Sequence, residues 1–303
     1  MRVLVETAVE TGADPACRVD SPPAAAKRCL CRRIVRPWLL APLAALLIWR
    51  GSVREQCPPD DGTALEGTVS SSVAADGRLR IGTFNIHGGK GRDRLRDLRR
   101  TAECLRTLDV VGLNEVHGAW FWQQSDQAAV LGHELGLQWL FAPTEERWWH
   151  YRFGNGMLSS LPVTSWQQIP LARRHGRSFR NLLLANVQYG GRTIRVVVAH
   201  IDRSSDEERR TQLRVAGDLF MSLAAPAVLL GDMNTPGEEP EIRRLLDAPG
   251  VRDPLADVLG DKAPRRIDWI FTRGLRTLDA GIVEIGASDH PHIWAELELE
   301  KRG

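Results

Sequence analysis

The sequence predicts a layered α/β domain in which strands outnumber helices. Short apolar runs of strand length recur from Leu79 onward, and stretches with apolar residues at helical spacing lie between some of them. A Gly190–Gly191 pair separates two of the runs, which is typical of a tight hairpin turn. Many strands with hairpins and a few helices favour sheets that are covered by helices.

Length and composition are those of an ordinary globular protein. The chain has 303 residues, enough for one large domain or two small ones, with 43% hydrophobic and 26% charged residues. A net charge of +2 is too close to neutral to indicate a nucleic-acid partner. The five cysteines lack Cys-x-x-Cys spacing, which argues against zinc and a dense disulfide framework. Cys57 and Cys104 could pair in an oxidising compartment, but Cys104 lies in a helix-like stretch and fits a small core residue better.

The N-terminal quarter differs from the rest and predicts a membrane-targeting segment. Residues 1–33 indicate a disordered basic leader, and 34–50 contain the apolar run PWLLAPLAALLIW. That run is shorter than the roughly 17–25 residues of a membrane span but suits a signal peptide or signal anchor. Lys and Arg are denser before it than after it, which favours an N-terminus inside the cell. We expect a membrane-anchored or secreted protein with its catalytic domain outside the cytoplasm. A cytoplasmic protein with an unusual leader is the alternative.

The elements that follow are predicted in chain order. Residues 51–77, rich in Pro, Asp, Gly and Ser, are expected to be a linker, and 78–303 form the domain. Helices are expected over 95–108 and 205–224, the second beginning with Ser and acidic residues. Strands are expected over 80–86, 109–116, 154–163, 181–190, 192–201, 227–234, 266–274 and 292–299.

Polar residues stand at the ends of the predicted core strands. Taken singly, each Asn or Asp is more typical of a turn, and each His of a hydrogen-bonded core position. Together they indicate a site, because buried carboxylates are costly unless they are paired or bind a metal. Their oxygens suit Mg²⁺ or Mn²⁺, and neighbouring histidines can contact phosphate or hold a water. The residues are Asn85, Glu115, His200, Asp202, Asp232, Asn234, Asp268, Asp289 and His290.

Five short motifs carry a family resemblance. In chain order they are Thr83-Phe84-Asn85, Asn114-Glu115, His200-Ile201-Asp202, Gly231-Asp232-Met233-Asn234 and Ser288-Asp289-His290. The strand Arg266-Ile-Asp-Trp-Ile-Phe271 adds a sixth match, with Trp269 where Tyr is common. From about Arg80 to Leu299 the chain resembles the endonuclease/exonuclease/phosphatase superfamily. That group includes deoxyribonucleases, repair exonucleases, neutral sphingomyelinases and inositol polyphosphate 5-phosphatases.

The resemblance implies a fold and a metal-dependent activity. The fold is a deoxyribonuclease-I-like, four-layer α-β-β-α sandwich of two packed mixed sheets. The activity is hydrolysis of a phosphodiester bond with Mg²⁺ (or Mn²⁺). Glu115 is implied as the principal metal ligand, assisted by Asn85 and Asp289.

The same resemblance implies roles around the attacking water. Asp232 would orient or deprotonate it, and Asn234 would hydrogen-bond the pentavalent phosphorane. His200 and His290 would stabilise phosphate charge or handle protons, with Asp268 and Asp289 orienting the imidazoles. Arg180 opens the strand where deoxyribonuclease-like members contact phosphate.

The substrate is left open by these motifs. The first expectation is a nuclease or nucleic-acid phosphodiesterase, and the second is a sphingomyelinase-type enzyme acting on phospholipid at the membrane. The third is a non-catalytic binding protein with the same fold. Aromatic residues crowd 119–124 and 146–156, where they could stack on bases or lie in a membrane interface.

Overall fold

The computed structural model describes residues 40–67, 77–120, 123–147, 150–174 and 178–300. The chain divides into two units, residues 1–45 and 46–303. Residues 1–33 of the expected leader and 34–39 of the expected anchor lie outside the described ranges. Helix α1 (Ala41–Ser52) has no buried residue, and Leu43, Ile48 and Trp49 are among its exposed side chains. Within the described ranges, every helix is too short or too polar to cross a bilayer.

The described strands form two mixed sheets of seven strands each. The first has the order β1 (Arg54–Gln56), β5 (Gln138–Arg147), β6 (Phe153–Ser159), β4 (Val110–His117), β3 (Leu79–Asn85), β14 (His292–Leu299) and β13 (Leu275–Val283). The second has the order β11 (Val251–Arg252), β12 (Asp268–Arg273), β10 (Ala227–Asp232), β9 (Arg192–His200), β8 (Arg180–Tyr189), β7 (Val163–Leu171) and β2 (Asp60–Gly62). In these sheets β3 runs parallel to β4 and β9 runs parallel to β10, while the other pairs are antiparallel.

Three buried clusters divide this domain into four layers. The central cluster packs the two sheets face to face through side chains such as Ile81, Val198 and Leu230. A second lies between the first sheet and helices α2 (Leu98–Leu105) and α3 (Gln127–Leu135). The third lies between the second sheet and helices α4 (Asp206–Ser222) and α5 (Pro240–Leu246). A short helix α6 (Pro254–Leu259) packs on β13. The predicted α-β-β-α sandwich is therefore confirmed.

Local sequence signals explain where several elements begin. Asp97 caps α2 by accepting a hydrogen bond from the Arg99 N–H at 2.9 Å, so this helix is shorter than the 95–108 predicted. Ser205 caps α4 in the same way, as its sequence predicts. The β8–β9 hairpin is also confirmed: Gly190 and Gly191 both have positive φ, which its two-residue turn requires.

The segment expected to be a linker supplies strands in its described part. β1 pairs with β5 and β2 pairs with β7, so each lies at the edge of one sheet. Its composition disfavours strands, and the pairing depends on partner strands that are distant in sequence. Cys57 in this segment and Cys104 on α2 are free thiols, and burial raises the pKa of each to about 11.

Candidate active site

The predicted polar residues converge at one edge of the two sheets. The carboxyl ends of β3, β9 and β10 and the amino end of β12 meet there, with the loop before β14 alongside. They border a cleft of about 230 Å³. Six of the predicted residues line it: Glu115, Arg180, His200, Asp232, Asn234 and His290. Asn85 and Asp268 lie directly behind them, in contact with Asp232 and His290.

Asp232 is the cleft residue with which most of the other site residues form contacts. It is only 1% exposed, and one of its carboxylate oxygens accepts a hydrogen bond from the Asn85 amide at 3.0 Å. The other oxygen accepts the backbone N–H of Asn234 at 2.8 Å. Burial, and then the nearby charge of Asp268, raise the pKa of Asp232 to about 6. A carboxylate with this pKa is ionised at neutral pH and is more basic than an exposed Asp.

His290 joins the two buried aspartates. Its Nδ1 lies 2.8 Å from the Asp268 carboxylate and its Nε2 lies 3.8 Å from that of Asp232. Burial lowers the pKa of His290, but the hydrogen bond to Asp268 and the surrounding carboxylates outweigh it and raise the pKa to about 9. The site therefore holds an imidazolium cation at neutral pH.

His200 is held in the opposite protonation state. Burial first, and then the charge of Arg180, put its pKa well below the ordinary value, so the ring is neutral. Its Nδ1 lies 3.3 Å from Nη1 of Arg180, and its Nε2 lies 3.5 Å from the Asp232 carboxylate. A neutral ring satisfies both contacts by accepting from Arg180 and directing its N–H at Asp232. The guanidinium Nε of Arg180 is buried without a hydrogen-bond partner among the described residues, and the same side chain lines the cleft.

Two cleft residues lie on left-handed backbone. Glu115 has φ 57° where the pairing of β4 with β6 slips by a bulge, and Asn234 has φ 47°. Asn tolerates this conformation, whereas Glu rarely adopts it, so Glu115 is held there by the surrounding sheet. The Asn234 amide donates to the Ile201 carbonyl at 2.9 Å, which fixes its orientation.

A chain of three asparagines supports the site from inside the sandwich. The Asn114 amide oxygen accepts the backbone N–H of Asp232 at 2.9 Å. Its nitrogen donates to Asn155 at 2.8 Å, and Asn155 donates in turn to Asn181 at 2.8 Å. All three are buried and connect both sheets behind the cleft. The sequence did not predict this chain; it offered Asn114 in the Asn114-Glu115 motif, and Asn155 and Asn181 only as Asn residues within predicted strands.

The predicted metal ligands Asn85, Glu115 and Asp289 form no hydrogen bond with one another among the described residues. The Asp289 carboxylate lies 3.2 Å from Nδ1 of His87. Among the described residues, the polar side-chain partners of His200 are Arg180 and Asp232, and Asp289 is not one of them. Asn85 accepts the His87 N–H at 3.1 Å. Glu115 forms no hydrogen bond or ion pair with any described residue, so its carboxylate is available to a ligand.

A second group of side chains could also hold a metal ion. Asp232, Asp268 and His290 offer ligand atoms within 4.8 Å of one another. These three already bond one another or Asn85, whereas Glu115 has no protein partner among the described residues. The donor chemistry around the cleft is mainly carboxylate and amide oxygen, which fits a hard divalent cation.

Four further residues line the cleft without having been predicted. They are Glu145, Phe153, Ser178 and Arg203. Glu145 is 2% exposed and lies on β5, a strand that the sequence did not predict, so only the structure shows its burial. Of the aromatic segments, residues 121–122 and 148–149 lie outside the described ranges.

Comparison with known proteins agrees with this geometry. Residues 82–290 match the model of the endonuclease/exonuclease/phosphatase family. No curated protein matches the chain at a significant level. A family member from Beutenbergia cavernae has a similar structure, with 24% identity, a TM-score of 0.62, and 74% of this chain and 72% of that chain covered. One from Bacteroides vulgatus has 20% identity and a TM-score of 0.61, covering 74% and 99%.

A DNA-bound structure is also among the similar folds. Zebrafish (D. rerio) TDP2, complexed with a single-strand DNA product, has 20% identity and a TM-score of 0.56, covering 74% of this chain and 100% of that one. At these identities the solved structures show the shared fold alone. Members of the matched family are typically hydrolytic phosphoesterases that use divalent metal ions. The family match over 82–290 and the predicted motif residues gathered at one cleft identify the chain as a member of the endonuclease/exonuclease/phosphatase family.

Proposed function

We propose that this protein is a Mg²⁺-dependent phosphodiesterase that hydrolyses nucleic acid. One observation carries the proposal: Asp232 lies in the cleft between a neutral His200 and a cationic His290, 3.5 and 3.8 Å from its carboxylate. This arrangement combines a base of raised pKa with positive charge at the same point. Phosphodiester hydrolysis needs both, because a water must lose a proton while negative charge builds on the phosphate.

The protein's own residues have distinct parts in that reaction. Asp232 orients the attacking water and accepts its proton. The His290 imidazolium and the Arg180 guanidinium offset the negative charge that develops on the phosphate oxygens. Asn234, held by its bond to Ile201, offers an amide to the same oxygens. Asp268 keeps His290 protonated and correctly turned.

Glu115, Asn85 and Asp289 are the residues that we propose hold Mg²⁺. Glu115 fits because its carboxylate lines the cleft on strained backbone without a described protein partner. When bound, a divalent ion polarises the phosphoryl oxygens and stabilises the leaving oxygen.

Two arginines at the cleft support nucleic acid as the substrate. Arg180 and Arg203 line it beside His290, and phosphate contacts dominate the affinity of nucleic-acid-binding proteins. The likeness to zebrafish TDP2, whose structure contains a single-strand DNA product, supports the same class.

A phospholipid substrate is the second candidate, and helix α1 is what favours it. Its exposed apolar side chains follow a run of Lys and Arg, a combination that suits an anionic lipid surface. We propose that this segment attaches the protein to a membrane, with the catalytic domain outside the cytoplasm. Attachment is compatible with either substrate.

The test is parallel hydrolysis by the full chain on plasmid DNA, RNA and sphingomyelin vesicles with Mg²⁺. Asp232→Asn is the inactive control, and Glu103→Gln, an exposed change on α2, is the matched control for altered charge. Loss of DNA or RNA cleavage in Asp232→Asn and with EDTA, but not in Glu103→Gln, supports the nuclease. If the vesicles are hydrolysed while the nucleic acids stay intact, the substrate is a phospholipid. No hydrolysis and no Mg²⁺ binding would leave a non-catalytic binding protein.

A further inference from the structure

A second cavity opens beside the catalytic cleft. It has a volume of about 330 Å³ and lies against the end of β4, two residues beyond Glu115. Its lining is aromatic and basic: Arg96, His117, Trp120, Gln123, His150 and Tyr151. None of these residues belongs to a motif or has a part in the proposed phosphate chemistry.

Two rings form a stacking platform in this cavity. The rings of His117 and Tyr151 lie face to face, with centroids 3.8 Å apart and planes 22° from parallel. The guanidinium carbon of Arg96 lies 5.6 Å from the Tyr151 centroid. Gly88 leaves room for the His117 ring, because a Cβ at that position would lie 2.1 Å from it.

A line of aromatic rings connects this platform to the catalytic cleft. The ring of Phe153, opposite His117 on the neighbouring strand, lies 6.2 Å from that of His117. On its other side Phe153 lies 6.1 Å from His200. Phe153 and His200 both line the catalytic cleft. A substrate with its phosphate beside Asp232 could therefore extend an attached planar group along this line to the platform.

We propose that the cavity binds an unpaired nucleobase of the substrate, so that the enzyme acts on single-stranded nucleic acid or on single-stranded ends. The inference rests on the proposed function. A base in a duplex has both faces covered by its neighbours, so only an unstacked base can lie on an outer face of the stacked His117–Tyr151 pair. Arg96 and Gln123 add planar hydrogen-bonding groups for a base edge.

Charge argues against the choline of a phospholipid headgroup as the occupant. Aromatic cavities bind quaternary ammonium through cation–π attraction. Here the described lining includes no carboxylate, while Arg96 brings a positive charge over the Tyr151 ring. That charge repels a cation but is compatible with a neutral base on an anionic backbone.

Binding to the full chain carrying Asp232→Asn tests the proposal without cleavage. The probe is a fluorescein-labelled single-stranded DNA oligonucleotide, followed by anisotropy in EDTA. Tyr151→Ala should weaken binding roughly 5- to 150-fold, the range that loss of one base–aromatic stack produces. Tyr151→Trp should retain it, since any flat aromatic ring can stack. Val215→Ala, an exposed truncation on α4, should change nothing. A blunt duplex should bind equally well to all of these proteins.

Abasic substitutions in the oligonucleotide give the reciprocal test. One abasic position should weaken binding as Tyr151→Ala does, and it should have no further effect in the Tyr151→Ala protein. Thermal unfolding of each variant checks that weaker binding does not result from loss of the folded structure.

The outcomes distinguish this inference from the proposed function. If the wild type cleaves nucleic acid but Tyr151→Ala binds and cleaves single strands normally, the stacking site is wrong and the nuclease stands. If the wild type neither binds nor cleaves nucleic acid, both are wrong. If Tyr151→Ala loses only vesicle hydrolysis, the cavity serves a lipid headgroup and the base-binding proposal is overturned.

Discussion

Asp232 on β10 and Asp268 on β12 are direct partners across two antiparallel strands, so two buried carboxylates meet at one cleft. Burial raises the pKa of both, and the charge of Asp268 adds to the shift at Asp232. His290 reaches both carboxylates, at 2.8 Å from Asp268 and 3.8 Å from Asp232. Its positive charge compensates the pair, which explains how two adjacent buried aspartates can coexist with a catalytic base.

Activity should be confined to a pH window set by this group. Asp232 must be ionised, so activity falls as the pH drops below about 6. His290 must be protonated, so activity falls as the pH rises above about 9. Asp268→Asn removes the main support for the imidazolium and should move the upper limb to lower pH. The measurement is kcat/KM against pH. If Asp268→Asn leaves the upper limb unchanged, a group other than His290 causes the fall in activity at high pH.

Mg²⁺ affinity should depend on Glu115. Glu115→Gln keeps the size of the side chain but removes its charge, and we expect Mg²⁺ binding to weaken by at least about tenfold, as losses around metal sites do. The melting temperature should hardly change, because Glu115 has no hydrogen bond to the described residues. Calorimetric titration measures the affinity, with Glu103→Gln as control. Unchanged affinity in Glu115→Gln, together with weaker binding in Asp268→Asn, would move the ion to the Asp232–Asp268–His290 group.

The buried asparagine chain should contribute strongly to stability. Asn114→Ala leaves the backbone N–H of Asp232 and the oxygens of Asn155 and Ala199 without their partner. Such losses cost about 1–3 kcal/mol each when groups stay buried, so we expect the three together to lower the free energy of unfolding by at least about 3 kcal/mol. Urea unfolding measures it. Asn186→Ala, at a half-buried amide bonded to Ser165, is the control and should cost less than about 1 kcal/mol. Equal losses in the two variants would argue against a special role for the chain.

Gly231 should tolerate no side chain. It has φ 137°, and a Cβ there would lie 1.9 Å from the Ala199 carbonyl oxygen on the paired strand. That backbone cannot move without displacing His200 and Asp232, so Gly231→Ala should cost more than about 3 kcal/mol, at the severe end of single substitutions. Gly191→Ala is the matched control: it also has positive φ but meets no atom within 4 Å, so strain alone should cost about 1–2 kcal/mol. Chemical denaturation of both variants gives the comparison.

The sequence by itself determined most strands and most of the cleft residues. Apolar runs and the polar residues that end them are local signals, so β14 and the β8–β9 hairpin follow from short stretches. Asp232, Asn234 and His290 stood in motifs, and the structure brings all three to one cleft. Their convergence follows from strand order, because the ends of neighbouring strands meet at one sheet edge.

Only the tertiary structure decided which partners these residues have. The contact of Asp289 with His87, the chain from Asn114 to Asn181 and the platform of His117 on Tyr151 each join residues from different elements. The edge strands β1 and β2 likewise exist only because β5 and β7 offer unpaired edges. The tertiary structure also decided the protonation states of His200 and His290. Two histidines of the same ordinary pKa become one neutral and one cationic group because burial and Arg180 act on His200, whereas Asp268 holds His290.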